Sequence, residues 1–293
     1  MDITIKKLSP KADRLFPGTN LRQLTTGDYL FTEGPVWDSG EDCLYFTDFQ
    51  KLTIWKWTEK SGAILYRENS NRAIGLSMDA RGRIVSAESG AHRIAYADNQ
   101  ASIPIVSDFN GKQLNSPNDV VVSKEGYILF TDPYSDMLGG PRVLGFNGIF
   151  SVSPKGETRL VDDVFERPNG IALSPDESVL YVNDTKQQSI YAFSFGKDGK
   201  TSRIGLFAKV DESYGKGAVD GMKVDTLGNV YVTGPGGIWV FDSAGTPLAV
   251  LFIPEQAGNF CFGGRDAKTI YITASTSVYA LDAGVPGVVP FRR

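Results

Sequence analysis

The chain has 293 residues, 41% of them hydrophobic, with 32 glycines and 15 prolines, enough for one large domain or two ordinary ones joined by many tight turns. A formal net charge of -4 argues weakly against nucleic acid or an anionic membrane as partner, because both select basic patches. The chain holds no run of about 18 apolar residues and opens on MDITIKKLSPKADRLF, without the apolar core of a signal peptide, so a cytoplasmic protein with no membrane partner is expected.

Residues 1–20 read as an irregular lead-in. The first regular unit follows, with four strands predicted near 34–38, 43–48, 52–58 and 63–67. Its second strand, LYFTD, ends at Asp48, and the same kind of strand recurs: RIVSAE to Glu88, YILFTD to Asp132, LYVND to Asp184, VYVTG to Gly234 and IYITA to Ala274. The intervals are 40, 44, 52, 50 and 40 residues, and turns rich in Gly, Asp or charge precede most copies. Val, Ile, Tyr and Phe dominate, with no helix-length 3.6-residue period. Four strands every 40 to 50 residues, six times over, predict an all-β, six-bladed propeller of four-stranded antiparallel blades. The last unit has little room for its own outer strand, so residues 21–26 are expected to pair with it and close the ring, making 21–293 one propeller domain. Closure protects an edge that an open ring would expose. Trp55 and Trp57 share a strand face and should pack between blades. Cys43 and Cys261, 218 residues apart, fit no zinc or redox spacing and read as buried free thiols.

Fourteen or fifteen residues before each strand end stand Glu33, Ala73, Asn118, Asn169, Asp220 and Asn259. The first strand of a propeller blade lines the central channel, so these positions form a ring, and five of the six carry Glu, Asp or Asn. Asn and Asp beside Gly are also ordinary turn residues, which suits Asn118 and Asn169 taken singly. Glu33 and Asp220 are a different matter. Two carboxylates facing each other in a narrow channel repel and lose hydration unless a cation or proton compensates. Two acids with two amide oxygens suit one divalent cation of hard character: Ca²⁺ first, Mg²⁺ or Mn²⁺ next, and Zn²⁺ less favoured without His or Cys.

At EGPVW, GKQLNSPNDVVV, FTDPYS, RPNGIALSPDE, DGMKVDTLGNVYVT and FGGRDAKTIYITA the chain resembles the senescence-marker/gluconolactonase family of six-bladed propellers, over about Glu33 to Ala274. The resemblance implies a divalent-metal-dependent hydrolase that opens a small cyclic ester, with Glu33, Asn169, Asp220 and Asn118 as metal ligands. Asp220 and Asn118 then serve catalysis, Asp220 as base or nucleophile and Asn118 in substrate contact. Where bacterial relatives carry a His in the second-blade channel loop this chain has Ser86, Glu88 and Ser89, and its one histidine, His92, lies beyond. Ser116 replaces an arginine of animal relatives, and Ala73 leaves the second-blade position without a ligand.

Long blade connections are expected to select a small-molecule substrate. Tyr134, Met137, Arg142 and Phe146 in the third blade and Tyr214 before the fifth are the candidate lining residues. Phosphoester hydrolysis or isomerisation on the same metal, and a non-catalytic module with a structural ion, are the alternatives. A monomer or weak homo-oligomer is expected.

Overall fold

The computed structural model describes residues 1–26, 28–135 and 142–291, and there every regular element except three short 3-10 segments is a β-strand. None of these residues belongs to a helix long and apolar enough to cross a membrane. Six antiparallel sheets form the blades of a propeller. Blade 1 holds Thr32–Asp38, Cys43–Asp48, Thr53–Thr58 and Gly62–Arg67; blade 2 holds Ala73–Met78, Ile84–Glu88, Arg93–Ala97 and Ser102–Val106. Blade 3 runs Val120–Val122, Ile128–Asp132, Gly148–Val152 and Thr158–Asp162, and blade 4 runs Pro168–Leu173, Val179–Asp184, Ser189–Phe195 and Thr201–Lys209. Met222–Val224, Val230–Gly234, Gly237–Phe241 and Pro247–Phe252 make blade 5. Blade 6 takes Ala257–Gly263, Thr269–Ala274 and Ser277–Asp282 from the C-terminal end, and its fourth strand, Arg22–Gln23, from the N-terminal end. Gln23 pairs with Tyr279 and Leu24 N donates to Val278 O at 2.8 Å, so the expected closing strand is in place.

Successive strand residues point to opposite faces, and in a ring both faces of a blade meet a neighbour. The core is accordingly divided among six apolar interfaces. Val36 and Tyr45 meet Leu76 and Ile84 between blades 1 and 2, and Leu129 and Ile149 meet Ile171 and Leu180 between blades 3 and 4. Trp57 packs toward Tyr271 of blade 6, with ring centroids 5.8 Å apart, and Trp55 packs on Tyr29. Cys43 and Cys261 are both buried free thiols.

The first twenty residues depart from the expected irregular lead-in. Ile5–Lys7 pairs with Leu251–Ala249 as a fifth strand on blade 5, and a 3-10 segment, Pro10–Arg14, buries Ala12 with Leu15 and Phe16 close behind. A three-residue strand with two lysines carries too little alternation to be read in sequence. It covers an edge whose Leu248, Ala249, Val250 and Leu251 are all buried. At the other terminus residues 286–291 cross the base of the channel. Thr226 N donates to Pro286 O and Val288 N to Val224 O, both at 2.9 Å, and the segment closes a small apolar cavity there with Val36, Leu76 and Ile171.

Candidate active site

Three local devices carry the ring residues to the mouth of the channel. The first is a bulge at the start of the inner strand. Glu33 pairs with Thr47, yet the next partners are Val36 and Tyr45; the register shifts likewise between Ala73 and Leu76, Pro168 and Ile171, and Ala257 and Asn259. A bulge bends the strand and re-aims a side chain. The second device is the acid that ends the second strand. Asp48 accepts from Leu30 N at 2.8 Å and Phe31 N at 3.2 Å. Asp132 accepts from Asn115 N and Ser116 N, both at 2.8 Å, and Asp184 from Glu166 N at 2.8 Å and Arg167 N at 3.2 Å. These buried carboxylates grip the loops that deliver Glu33, Asn118 and Asn169.

The third device staples blade to blade. Thr47 Oγ1 donates to Ile74 O at 3.0 Å, Thr131 Oγ1 to Asn169 O at 2.7 Å, and Thr233 Oγ1 to Gly258 O at 3.0 Å. Asn183 Nδ2 reaches Asp220 O at 2.6 Å in the same way. The blades then approach so closely that a Cβ on Gly170 would lie 2.0 Å from Asp220 O, and one on Gly221 2.1 Å from Asn259 Oδ1. Hence the glycines of NG and DG.

Glu33 is buried, and its Oε2 accepts from Gly34 N at 2.8 Å. Burial pushes its carboxyl above the usual range; the Gly34 N–H pulls it back and the charge of Asp119 pushes it further. The Asp220 carboxyl is raised well above its ordinary value, by burial first and then by the charges of Glu33 and Asp119, with the Asn169 amide and Arg167 opposing. Asn169 is buried; its Nδ2 donates to Thr185 Oγ1 at 3.2 Å, while Thr185 Oγ1 donates to Val219 O at 2.9 Å. Its Oδ1 is buried without a hydrogen-bond partner. Asn118 is half-buried, with its N–H given to Thr131 O and its carbonyl accepting from Gly75 N. Glu33, Asn169 and Asp220 thus share one environment, with Asn118 in the loop beside it. Asn259 turns Oδ1 to Phe260 N and to the Lys223 ammonium.

Asp119 and Lys223 are the residues that sequence reading passed over. Both stand in the NDV and DGMKV motifs, off the ring register, where the repeat by itself does not point to the channel. In blade 2, Glu88 is enclosed by Arg67, Arg93 and Asn71, and Ser86 Oγ donates to Ala95 O. His92 sits at φ 55° with Nδ1 hydrogen-bonded to the Asn115 carbonyl. Among the expected lining residues, Tyr134 donates its N–H to Asn147 Oδ1 and carries the Arg142 guanidinium 4.5 Å above its ring. Phe146 lies against Phe150, and Tyr214 packs on Trp239 and Phe252 in the outer half of blade 5, under Lys6. Met137 lies outside the described residues.

Fold and site together define a six-bladed propeller whose inner strands converge on an oxygen-rich cluster at one mouth of the channel. The family model of the SMP-30/Gluconolactonase/LRE-like region matches residues 31–276, and the chain belongs to that family. It is 32% identical to a gluconolactonase of Zymomonas mobilis, over 94% of this chain and 84% of that one. It is 25% identical to a pentonolactonase of Haloferax volcanii, over 83% and 81% of the two chains. The solved structure of a gluconolactonase from Xanthomonas campestris superposes with a TM-score of 0.87 at 27% identity, covering 97% of this chain and 96% of that chain.

Proposed function

We propose that the protein is a lactonase that hydrolyses a sugar lactone at the channel mouth, with one divalent cation held by Glu33, Asn118, Asn169 and Asp220. The observation that carries the cation is the unpartnered, buried Oδ1 of Asn169 beside two crowded carboxylates. A buried amide oxygen without a donor is costly, and like charges in apolar surroundings repel; a cation relieves both. An all-oxygen donor set favours Ca²⁺ over Zn²⁺, with Mg²⁺ and Mn²⁺ between. The gluconolactonase and pentonolactonase relatives support the lactone as substrate class.

When bound, the cation would polarise the ring carbonyl and stabilise the oxyanion. The chain's own residues do the rest. Asp220 is half-buried, unlike Glu33, so it can meet both substrate and water. That position suits a general base taking the proton of an attacking water. Glu33, locked to Gly34 N, holds position rather than a proton in flight. Asn118, at the open side, orients the lactone.

The test is hydrolysis of a panel of γ- and δ-lactones, followed by pH drop, with chelated protein resupplied separately with Ca²⁺, Mg²⁺, Mn²⁺ or Zn²⁺. Turnover should need the ion and fall by roughly 10²-fold or more in Asp220→Ala and Glu33→Gln. A parent that binds an ion tightly and opens no lactone would overturn the assignment, and phosphoesters, isomerisation or a structural ion would then be tried.

A further inference from the structure

Three carboxylates, not two, meet at the mouth. Asp119 is fully enclosed, its Oδ1 taken by Val120 N at 2.9 Å and its Oδ2 left without a hydrogen-bond partner. Lys223, on the inner strand of blade 5, stands 3.9 Å from that Oδ2. Its ammonium donates to Asn259 Oδ1 at 3.2 Å and to the Met222 carbonyl at 3.0 Å, and the Asn259 amide borders Glu33. Lys223 also lines the apolar cavity at the channel base, with Val36, Leu76 and Cys261. The ammonium therefore lies between Asp119 and Glu33 on one side and hydrocarbon on the other, where charges are poorly screened. Of the cations around Glu33, Asp119 and Asp220, Lys223 is the one beside Asp119 and Glu33. Arg167, half-buried in the loop before Asn169, acts on Asp220 from the rim.

We propose that Lys223, paired with Asp119 and tethered through Asn259 to Glu33, offsets one negative charge of the site and so weakens its preference for ions of higher charge. The inference rests on the cation site proposed above and goes beyond it, because it assigns selectivity to a residue that is not a ligand. A lysine that merely filled space would, when replaced, alter the binding of every ion alike.

The experiment titrates the chelated full-length protein with Ca²⁺ and with Tb³⁺ by calorimetry, in the parent, Lys223→Met, Asp119→Asn and the double variant. Lys223→Met should raise the ratio of Tb³⁺ to Ca²⁺ affinity roughly tenfold or more, since one uncompensated charge acts on a trivalent ion half as strongly again as on a divalent one. Asp119→Asn should lower the ratio, and the double variant, with the parent's net charge again, should return it to that of the parent. If Lys223→Met fails to fold, the fall in Asp119→Asn decides by itself. A ratio unmoved in variants that still bind Ca²⁺ overturns this inference alone. A parent that binds neither ion overturns the cation site and this inference with it.

Discussion

A side-chain amide can turn either its oxygen or its NH₂ toward a neighbour, and at Asn169 the choice is made by Thr185. The hydroxyl gives its proton to Val219 O, leaving only lone pairs for the amide, so Asn169 must offer Nδ2 to Thr185 and keep Oδ1 free. Groups that orient a ligand commonly change metal affinity 10–100-fold when lost. Thr185→Val should therefore weaken Ca²⁺ binding by about tenfold with little change in melting temperature, read by calorimetry. An unchanged affinity would remove Asn169 from the ligand set. Asp132 makes a second prediction. Burial pushes its carboxyl up to about 7, with Asn115 N and Ser116 N pulling back. The folded state thus holds this proton more tightly than the unfolded chain, whose value is near 4. Its contribution to stability is full below about pH 4 and is lost as pH rises through about 7, with a slope of at most about 1.4 kcal/mol per pH unit from one proton. Asp132→Asn should flatten the fall in denaturant stability between pH 5 and 7; an equally steep fall would show that the proton sits elsewhere.

At the scale of the strand, the acids that end the repeated motif have a role of their own. The repeats LYFTD, YILFTD, LYVND and VYVTG placed the blades correctly, and stepping back from them leads to Glu33, Asn118, Asn169 and Asp220. The motif's own acids do not enter the channel; they hold loops, and the preceding Thr or Asn crosses to the next blade. Neither role was legible, because both depend on contacts between segments 16 to 38 residues apart that only the packing of the blades brings together. Asp119 was hidden for a related reason: next to a ring position, its side chain would be expected to point away. Thr131 tests the staple. Its Oγ1 donates to Asn169 O at 2.7 Å and accepts from Asp119 N at 3.1 Å, so one hydroxyl serves both neighbours of the site. Thr131→Val keeps the shape and leaves two buried backbone groups unpaired, which costs about 1–3 kcal/mol for each group stranded. Denaturant unfolding should record the loss, and Ca²⁺ affinity should fall with it as Asn169 loosens. A Thr131→Val protein as stable as the parent would mean that the blades hold register through apolar packing alone.

For the whole molecule, the site depends on a closed circle. Glu33 belongs to blade 1 and Asn259 to blade 6, and a Cβ on Gly258 would lie only 2.5 Å from Glu33 Oε1, so the acid cluster spans the closing junction. That junction is held by few backbone bonds: the outer strand of blade 6 is only Arg22–Gln23, extended by Leu24 N to Val278 O at 2.8 Å. Trp37, Trp57, Tyr271 and Val278 fill the interface behind it, with Leu24 against them. Leu24→Pro removes one ladder donor and disturbs that packing while leaving every channel residue unchanged. A local defect would cost about 1–3 kcal/mol, or roughly 2–4 °C of melting temperature for each kcal/mol in a chain of this size. If the ring unfolds as one unit, the whole transition should shift to lower temperature in a single step, and saturating Ca²⁺ should recover part of the shift, because an ion held across the junction binds only the closed form. If instead the chain melts in two steps, with ion binding lost in the first, closure and blade stability are separable and the junction is the weak point of the site.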